Sequence, residues 1–230
     1  SLAPSDPILA LFASGEQGFQ YDLRDASTRF TDAAMTTLAG DTDPVGRLKD
    51  RSPNANHATQ ANEAAKPVLD FNANGIELLA DGQDDKLILP DIPTAGERTI
   101  VLGVRWGASI GTNGSLPGII ESSFSNFIGW NSDANQSRSN SSIIVLNVPV
   151  TNSTDQLILV QRQTATEHQF STQFQSNTRA VAPSAATWNQ LFARLSSFAN
   201  AGLYWGLLID RVLTDDELAL ARQECADASG

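Results

Sequence analysis

The sequence has very few of the residues from which disulfides, metal centres and catalytic triads are usually built. Among 230 residues there is one cysteine, Cys225, and there are two histidines, His57 and His168. One cysteine cannot form a disulfide within the chain or supply a thiolate cluster. The sequence also lacks a phosphate-cradling glycine loop, a Gly-x-Ser-x-Gly elbow and a His-x-x-x-His pair. We therefore predict no metal centre and no cofactor.

Positive charge is also scarce. Lys and Arg number 15 against 26 Asp and Glu, which gives a formal net charge of −11, and charged residues make up only 18% of the chain. Proteins that bind nucleic acids need clustered lysines and arginines to follow the phosphates. Because the positive residues here are scattered, we expect no nucleic-acid partner. The acidity is interpreted as a source of solubility and of repulsion between copies.

Long hydrophobic runs are absent from the sequence. No stretch approaches the roughly 18 apolar residues that a membrane-spanning helix needs, and the N-terminus lacks the basic segment and apolar core of a signal peptide. We therefore expect no membrane insertion and see no export signal. A hydrophobic content of 41% over 230 residues is sufficient for one large core, so we expect a single domain over 1–230.

The clearest positive pattern lies near the C-terminus. The segment 203–209 reads LYWGLLI, a short apolar run rich in aromatic and branched residues, and this is typical of a strand covered on both faces. Thr214 and Glu217 follow at the spacing of a capping box, in which each side chain bonds the other residue's backbone N–H. The pattern predicts a central strand and then a helix over approximately 215–225.

The residue composition of the chain changes at about residue 70. Residues 1–70 are rich in Asp, Ala, Thr and Asn and are punctuated by Gly and Pro, which predicts a loop-rich N-terminal wrap with edge strands. From residue 75, apolar runs of strand length alternate with turn clusters. The spacing predicts an all-β fold, a two-sheet antiparallel jelly-roll sandwich with a short C-terminal helix. Its core strands should lie within 75–213 and the helix within 214–226.

Two segments carry a likeness to a known family. Residues 40–60 read GDTDPVGRLKDRSPNANHATQ and are followed by KPVL at 66–69. The second segment, 205–217, contains the closing strand, an Asp-Arg dipeptide and the Leu-Thr helix cap. Together they resemble the concanavalin A-like, laminin-G-like sandwich modules of virion proteins from tailed bacteriophages and gene-transfer particles. The chain departs from that pattern at Pro53 and Ala55, where glycine is usual, and at Lys66, where arginine is usual.

The residues of the first segment also have a local structural meaning. Asp50, Ser52, Asn54 and Asn56 are of the types that bond their own backbone in turns. They predict a side-chain-stabilised loop over 50–57. We expect His57 to donate a hydrogen bond to a carbonyl within this loop, in a structural and not a catalytic role.

The carboxylates of the sequence bear on two further functions, catalysis and calcium binding. Glycoside hydrolysis needs two facing carboxylates, and the alternating Glu-x-Asp-x-x-Glu string of glucanases with this fold is absent. We therefore predict a non-enzyme. Calcium could use Asp81, Asp84 and Asp85, or Asp41 and Asp43, but these residues are interpreted as turn formers.

A binding site is predicted after the apolar segment that ends at Trp130. Residues 131–142 are mostly Ser and Asn, so many short hydrogen-bonding groups follow an indole, as sugar recognition requires. The candidate ligand-binding residues are Trp130, Asn131, Asp133, Asn135 and Arg138. The alternative is that Trp130 belongs to the core and the loop is simply solvated.

The resemblance implies a non-catalytic component of a virion or phage-like particle surface. We expect it to bind host envelope or capsule polysaccharide for adhesion, with affinity gained from a homo-oligomer or many copies. Its partners would be bacterial surface polysaccharide and other virion proteins. Two alternatives stay open: an architectural module that decorates or joins virion proteins, and a polysaccharide-cleaving enzyme.

Overall fold

A computed structural model describes residues 6–106, 118–123, 126–131, 136–139, 144–146, 156–180, 184–194 and 197–230. The strands are β1 Gly18–Asp22, β2 Arg29–Phe30, β3 Arg47–Leu48, β4 Ala58–Thr59, β5 Val68–Asn72, β6 Gly75–Asp81, β7 Leu87–Thr94, β8 Arg98–Trp106, β9 Gly118–Ser123, β10 Asn126–Asn131, β11 Gln136–Ser139, β12 Ile144–Leu146, β13 Gln156–Gln163, β14 Glu167–Ser171, β15 Ser176–Ala180, β16 Ala186–Leu191, β17 Ala193–Arg194, β18 Ser197–Phe198 and β19 Asn200–Ile209. Short 3₁₀ helices span Leu9–Phe12, Ala26–Thr28 and Glu63–Ala65, and helix α1 spans Asp215–Asp227.

The strands form two antiparallel sheets. Sheet A has the order β15-β14-β13-β8-β19-β6-β5, with β1 also paired to β19. Sheet B has the order β12-β11-β10-β9-β16-β7-β4-β3-β2, and β17 and β18 form a separate pair. The two sheets pack face to face, so the prediction of an antiparallel sandwich closed by a C-terminal helix is confirmed. Within the described ranges, no helix has the length and apolar character needed to span a membrane.

Strand β19 is the central strand of sheet A, as its apolar sequence predicts. It pairs with β8 on one side and with β6 and β1 on the other, and residues 201–209 are all buried. The register shifts between Leu203 and Trp205, and this bulge places the Tyr204 ring over Gly103. A Cβ atom at Gly103 would lie 2.2 Å from the Tyr204 Cε2 atom, so glycine is required beneath the ring.

Helix α1 covers the outer face of sheet A. Its N-terminus has the predicted capping box: the Glu217 N–H donates to Thr214 Oγ1 at 3.3 Å, and the Thr214 N–H donates to Glu217 Oε2 at 2.8 Å. Leu218, Ala221 and Cys225 are buried in a cluster that also contains side chains of β8 and β19. The helix thus makes a third layer, which protects the outer face of the central strands from water.

The main hydrophobic core lies between the two sheets. Trp106 is completely buried there. Sheet A contributes Leu78, Ile100, Leu102, Val104, Leu159 and Leu203, and sheet B contributes Leu87, Ile92, Ile120, Ile128, Trp188 and Leu191. Burial of each large apolar side chain contributes about 1.5–3 kcal/mol. This interior holds the two sheets face to face.

The loop over 50–57 is stabilised by its own side chains, as predicted. The Asp50 carboxylate accepts four hydrogen bonds, from the N–H groups of Gln20, Ser52 and Asn56 and from the Ser52 hydroxyl. Burial raises the pKa of Asp50, and these hydrogen bonds oppose that effect. Asn54 and Asn56 side chains donate to Gly18 O at 3.1 and 2.7 Å, so the loop is bonded to β1.

The expected role of His57 is wrong in one respect. Its Nδ1 atom accepts a hydrogen bond from the Asp50 N–H at 3.0 Å, whereas donation to a carbonyl was expected. The ring must be neutral to accept this bond. Burial and the charge of Arg47 both lower the pKa of His57, which favours the neutral form.

Ala55 is the strained residue of this loop. It has φ +57°, in the left-handed region, at a position where the virion-module pattern has glycine. An alanine Cβ in this region is crowded by the following carbonyl, at a cost of about 1–2 kcal/mol. The strain is tolerated because the Asp50 and Asn56 bonds hold the surrounding backbone.

We predict that Ala55→Gly raises the free energy of unfolding by about 0.5–1 kcal/mol, because glycine removes the steric cost but adds unfolded-state entropy. Chemical denaturation should show this as a higher midpoint at unchanged slope. Ala64→Gly, at an exposed position with ordinary backbone angles, is the control and should be slightly destabilising. Equal destabilisation by both substitutions would contradict the prediction.

Candidate functional site

Three of the five predicted binding residues lie on two adjacent strands of sheet B. Trp130 and Asn131 are the last residues of β10, and Arg138 lies in β11. The register pairs Trp130 with Ser137 and Gly129 with Arg138, so the backbone brings these three candidates together. Asp133 and Asn135 lie outside the described residues. The assignment of these five residues to a binding site stays a prediction.

The structure adds a groove that the sequence did not indicate. It lies on the outer face of sheet A, between α1 and the strands β13 and β14, and has a volume of about 620 Å³. Its lining residues are Ile158, Arg162, Gln169, Gln173, Asp215, Leu218, Ala219, Arg222, Gln223 and Ala226. This size lies within the range of ligand pockets of other proteins. We call it the helix groove.

The helix groove combines an apolar part with planar polar side chains. Two arginines line it: Arg162 pairs with Asp215 at 2.9 Å, and Arg222 donates to Ser171 Oγ at 2.8 Å. Burial lowers the pKa of Arg222, which nevertheless stays charged at neutral pH. Each guanidinium has five N–H donors, so both retain donors for a ligand after these bonds. Glutamine amides in the same groove supply both donors and acceptors.

An exposed aromatic residue directly follows a groove residue in the sequence. Strands β14 and β15 are joined by a tight turn, in which the Thr172 N–H donates to Gln175 O at 2.8 Å. Within this turn Gln173 lines the groove, and the next residue, Phe174, is 72% exposed. Most of its ring is therefore open to solvent. It offers an exposed apolar surface one residue away from a hydrogen-bonding group of the groove, and a sugar ring requires both kinds of contact.

Three carboxylates converge at the turn between β6 and β7. Oxygen atoms of Asp81, Asp84 and Asp85 all lie within 4.8 Å of one another. Two of the three act as turn formers, because Asp81 accepts from the Gln83 N–H at 2.8 Å and Asp85 accepts from the Asp81 N–H at 2.9 Å. Gly82 in this turn has φ +79°, in the left-handed region that glycine adopts readily. Carboxylate oxygens of this kind also suit Ca²⁺, but the hydrogen bonds that the Asp81 and Asp85 carboxylates accept within the described residues join parts of the turn.

Asp85 makes the turn sensitive to pH. Burial and the charges of Asp81 and Asp84 together raise its pKa to about 6, although the hydrogen bond from the Asp81 N–H opposes this rise. The folded state therefore binds the Asp85 proton more tightly than the unfolded state does. Stability should fall as the pH rises from about 4 to about 6, and the loss is complete above that range.

We predict that Asp85→Asn raises the free energy of unfolding by about 1–2 kcal/mol at about pH 7.5, and changes it little at about pH 4, because asparagine removes only the charge. Denaturation in EDTA at both pH values measures this. Asp84→Asn, at an exposed position, should have a smaller effect. A calcium-dependent rise in Tm that Asp85→Asn abolishes would contradict the turn-former interpretation.

The buried carboxylates bear on the enzymatic alternative. Glu77 is completely buried and forms an ion pair with Arg105, whose Nη2 atom lies 2.7 Å from Glu77 Oε2. Glu121 is 1% exposed and accepts a hydrogen bond from the Gln190 amide at 2.5 Å. A catalytic carboxylate must contact the glycosidic bond. Both groups are enclosed by the chain, which does not favour such a role.

His168 is enclosed in the same way. It is completely buried in β14, and burial together with the charge of Arg98 lowers its pKa to about 4. It is therefore neutral at physiological pH. A base at this depth does not reach a polysaccharide at the surface.

Comparison with known proteins identifies the fold. No protein-family model and no curated protein sequence matches this chain. Solved structures do match. A GH54 α-L-arabinofuranosidase soaked with a cyclic sulfate inhibitor has a TM-score of 0.62 and 10% identity, over 96% of this chain and 65% of that one. Trypanosoma rangeli sialidase has a TM-score of 0.54 and 12% identity, over 93% of this chain and 33% of that one.

A third structure, the binding domain of Paraclostridial Mosquitocidal Protein 1, has a TM-score of 0.56 and 9% identity, over 77% of this chain and 49% of that one. The chain thus spans between a third and two thirds of these proteins. At such identities the likeness shows the fold alone, and the fold is a concanavalin-like β-sandwich.

Proposed function

We propose that this sandwich is a non-catalytic carbohydrate-binding module. The observation that carries the proposal is the helix groove, which is lined by two arginines, several glutamine amides and apolar side chains, and whose lining residue Gln173 is followed in the chain by the exposed Phe174. Sugars need paired hydrogen bonds for their hydroxyls and an apolar surface for the C–H face of the ring. The matched sialidase and arabinofuranosidase act on carbohydrates by their names, which supports the same ligand class.

The arginines favour a glycan that carries acidic groups. The chain has a net charge of −11, so anionic polymers are repelled from most of its surface. Arg162 and Arg222 place positive charge together in the helix groove. A guanidinium binds a carboxylate through two parallel hydrogen bonds, which neutral sugars cannot match. Uronic or other acidic sugars are therefore the proposed class.

The non-catalytic part of the proposal rests on the carboxylates. Glu77 and Glu121 are buried, and the groups that line the helix groove include one carboxylate, Asp215, which is paired with Arg162. A hydrolase needs an acid and a base or nucleophile on the two sides of the bond. The described part of the groove supplies no such pair.

The biological setting is proposed from the sequence. The segments 40–60 and 205–217 resemble virion modules, so we propose a particle surface protein that adheres to host polysaccharide through many weak sites. In the architectural alternative, the same sandwich only joins virion proteins, and the groove has no part in its function. Genes for capsid and tail proteins beside this one would support the virion setting, and their absence would oppose it.

We predict that Phe174→Ala weakens binding to an acidic bacterial polysaccharide by about tenfold, because the apolar stacking surface is lost. Arg162→Ala should weaken binding to acidic polysaccharides more than to neutral ones. The measurement is an array of neutral and acidic capsule polysaccharides, probed with biotinylated protein made multivalent on streptavidin.

Phe71→Ala is the matched control, because Phe71 is also exposed, at 43%, but lies in β5 away from the groove. It should bind like the wild type. If Trp130→Ala alone abolishes binding, the binding site lies on β10 and β11 and not in the helix groove. No binding of the multivalent wild type to any polysaccharide would contradict the proposed function and favour the architectural alternative.

We also predict that incubation with a bound polysaccharide releases no new reducing ends. Reducing-end assays and size-exclusion chromatography of the polysaccharide measure this. Cleavage that is abolished by Glu121→Gln but not by Glu167→Gln, at an exposed position, would show that the protein is an enzyme.

A further inference from the structure

Apart from the helix groove, a cluster of polar side chains lies inside the sandwich, at one end of sheet A. Arg98 begins β8 and pairs with Gln163 of β13, and Gln163 pairs with His168 of β14. Paired residues of antiparallel strands point to the same face, and the neighbouring pair Ile100 and Gln161 belongs to the face that meets the core. These polar side chains therefore point between the sheets.

Arg98 is the centre of this cluster and is completely buried. Its Nη1 atom donates to Gly96 O at 3.2 Å and to Ser184 O at 2.9 Å, and its guanidinium lies 5.4 Å from the ring centre of Trp188. Its Nε and Nη2 atoms have no hydrogen-bond partner among the described residues. These two atoms form one edge of the guanidinium, the parallel pair of donors that binds an anion side-on.

The positive charge of Arg98 is also uncompensated in the described part of the chain. No carboxylate pairs with it there, and burial alone lowers its pKa to about 10, so it stays charged at neutral pH. Besides the Trp188 ring, the described groups on the neighbouring strands are His168, which the charge of Arg98 helps to keep neutral, and the uncharged amide of Gln163. An unpaired buried charge costs several kcal/mol, so a compensating anion would stabilise the fold.

Other unsatisfied groups share this interior. The Nε1 atom of Trp188 and both amide atoms of Gln161 are buried without a partner among the described residues, as is Oε1 of Gln163. Counted with Arg98, the donors exceed the acceptors. Such a set suits an anion, with water molecules on the amide oxygens.

We propose that the sandwich binds a small monovalent anion, chloride or one of similar size, between the sheets on the Nε and Nη2 atoms of Arg98. The anion would neutralise the buried guanidinium and lock the ends of β8 and β13 against sheet B. This site is structural and separate from the helix groove on the outer face of sheet A. Its existence does not depend on the proposed carbohydrate binding.

The direct test is crystallisation of the wild-type protein in sodium bromide, because bromide replaces chloride and scatters anomalously. We expect an anomalous peak at about 3.3 Å from the Arg98 Nε and Nη2 atoms, at hydrogen-bonding distance for a large halide. Water alone on this edge, or a carboxylate of the chain, would overturn the proposal.

The solution test measures Tm in sodium chloride, bromide or nitrate against sodium gluconate at equal ionic strength. Gluconate is too large for an enclosed site. Above the dissociation constant, Tm should rise by about 3–5 °C for each tenfold increase in the small anion, and stay flat in gluconate. Equal Tm in all four salts would overturn the proposal, and would leave binding in the helix groove untouched.

Substitution separates this site from general salt effects. Arg98→Met should abolish the difference between chloride and gluconate, because it removes both the charge and the donors. Lys49→Met, which removes one exposed positive charge, should retain the wild-type difference. If Arg98→Met does not fold, Arg98→Lys serves instead: its single ammonium group should reduce the anion dependence without abolishing it. An unchanged anion dependence in either variant at Arg98 would overturn the proposal.

Discussion

The burial of β19 between β8 on one side and β6 with β1 on the other is the constraint on which the rest of the structure depends. Its backbone bonds are satisfied along both edges, and its side chains are covered on both faces. One face meets the core between the sheets, and the other meets helix α1 and the N-terminal 3₁₀ helix. The end of the chain thus joins three layers into one structure.

This arrangement explains where the helix groove forms. Helix α1 follows β19 directly and is held at its start by the Thr214 cap and by Glu217, which also pairs with Arg211. The pairing with Arg211 lowers the pKa of Glu217 to about 2. The helix covers the central strands but leaves β13 and β14 partly open. The groove is the space that remains between a fixed helix and the edge of the sheet.

The buried charged groups differ in how fully hydrogen bonds and ion pairs within the described chain compensate them. Glu77 has Arg105, and Asp50 has four donors, so both carboxylates are compensated within the chain. Arg98 has carbonyl partners on one edge only. Because an unpaired charge is far more costly in a core than at a surface, the difference between these sites has physical meaning.

The sequence by itself determined the features that depend on residues close together in the chain. The strand over 203–209, the Thr214 cap, the turn with Asp81 and Asp85 and the loop over 50–57 were all predicted, because each arises from local bonds or periodicity. Only the tertiary structure decided that β13, β14 and α1, which are far apart in sequence, enclose a groove, and that Arg98 lies opposite Gln163 in the interior. Strand register and helix placement result from packing summed over the whole core, and no short pattern of residues encodes that sum.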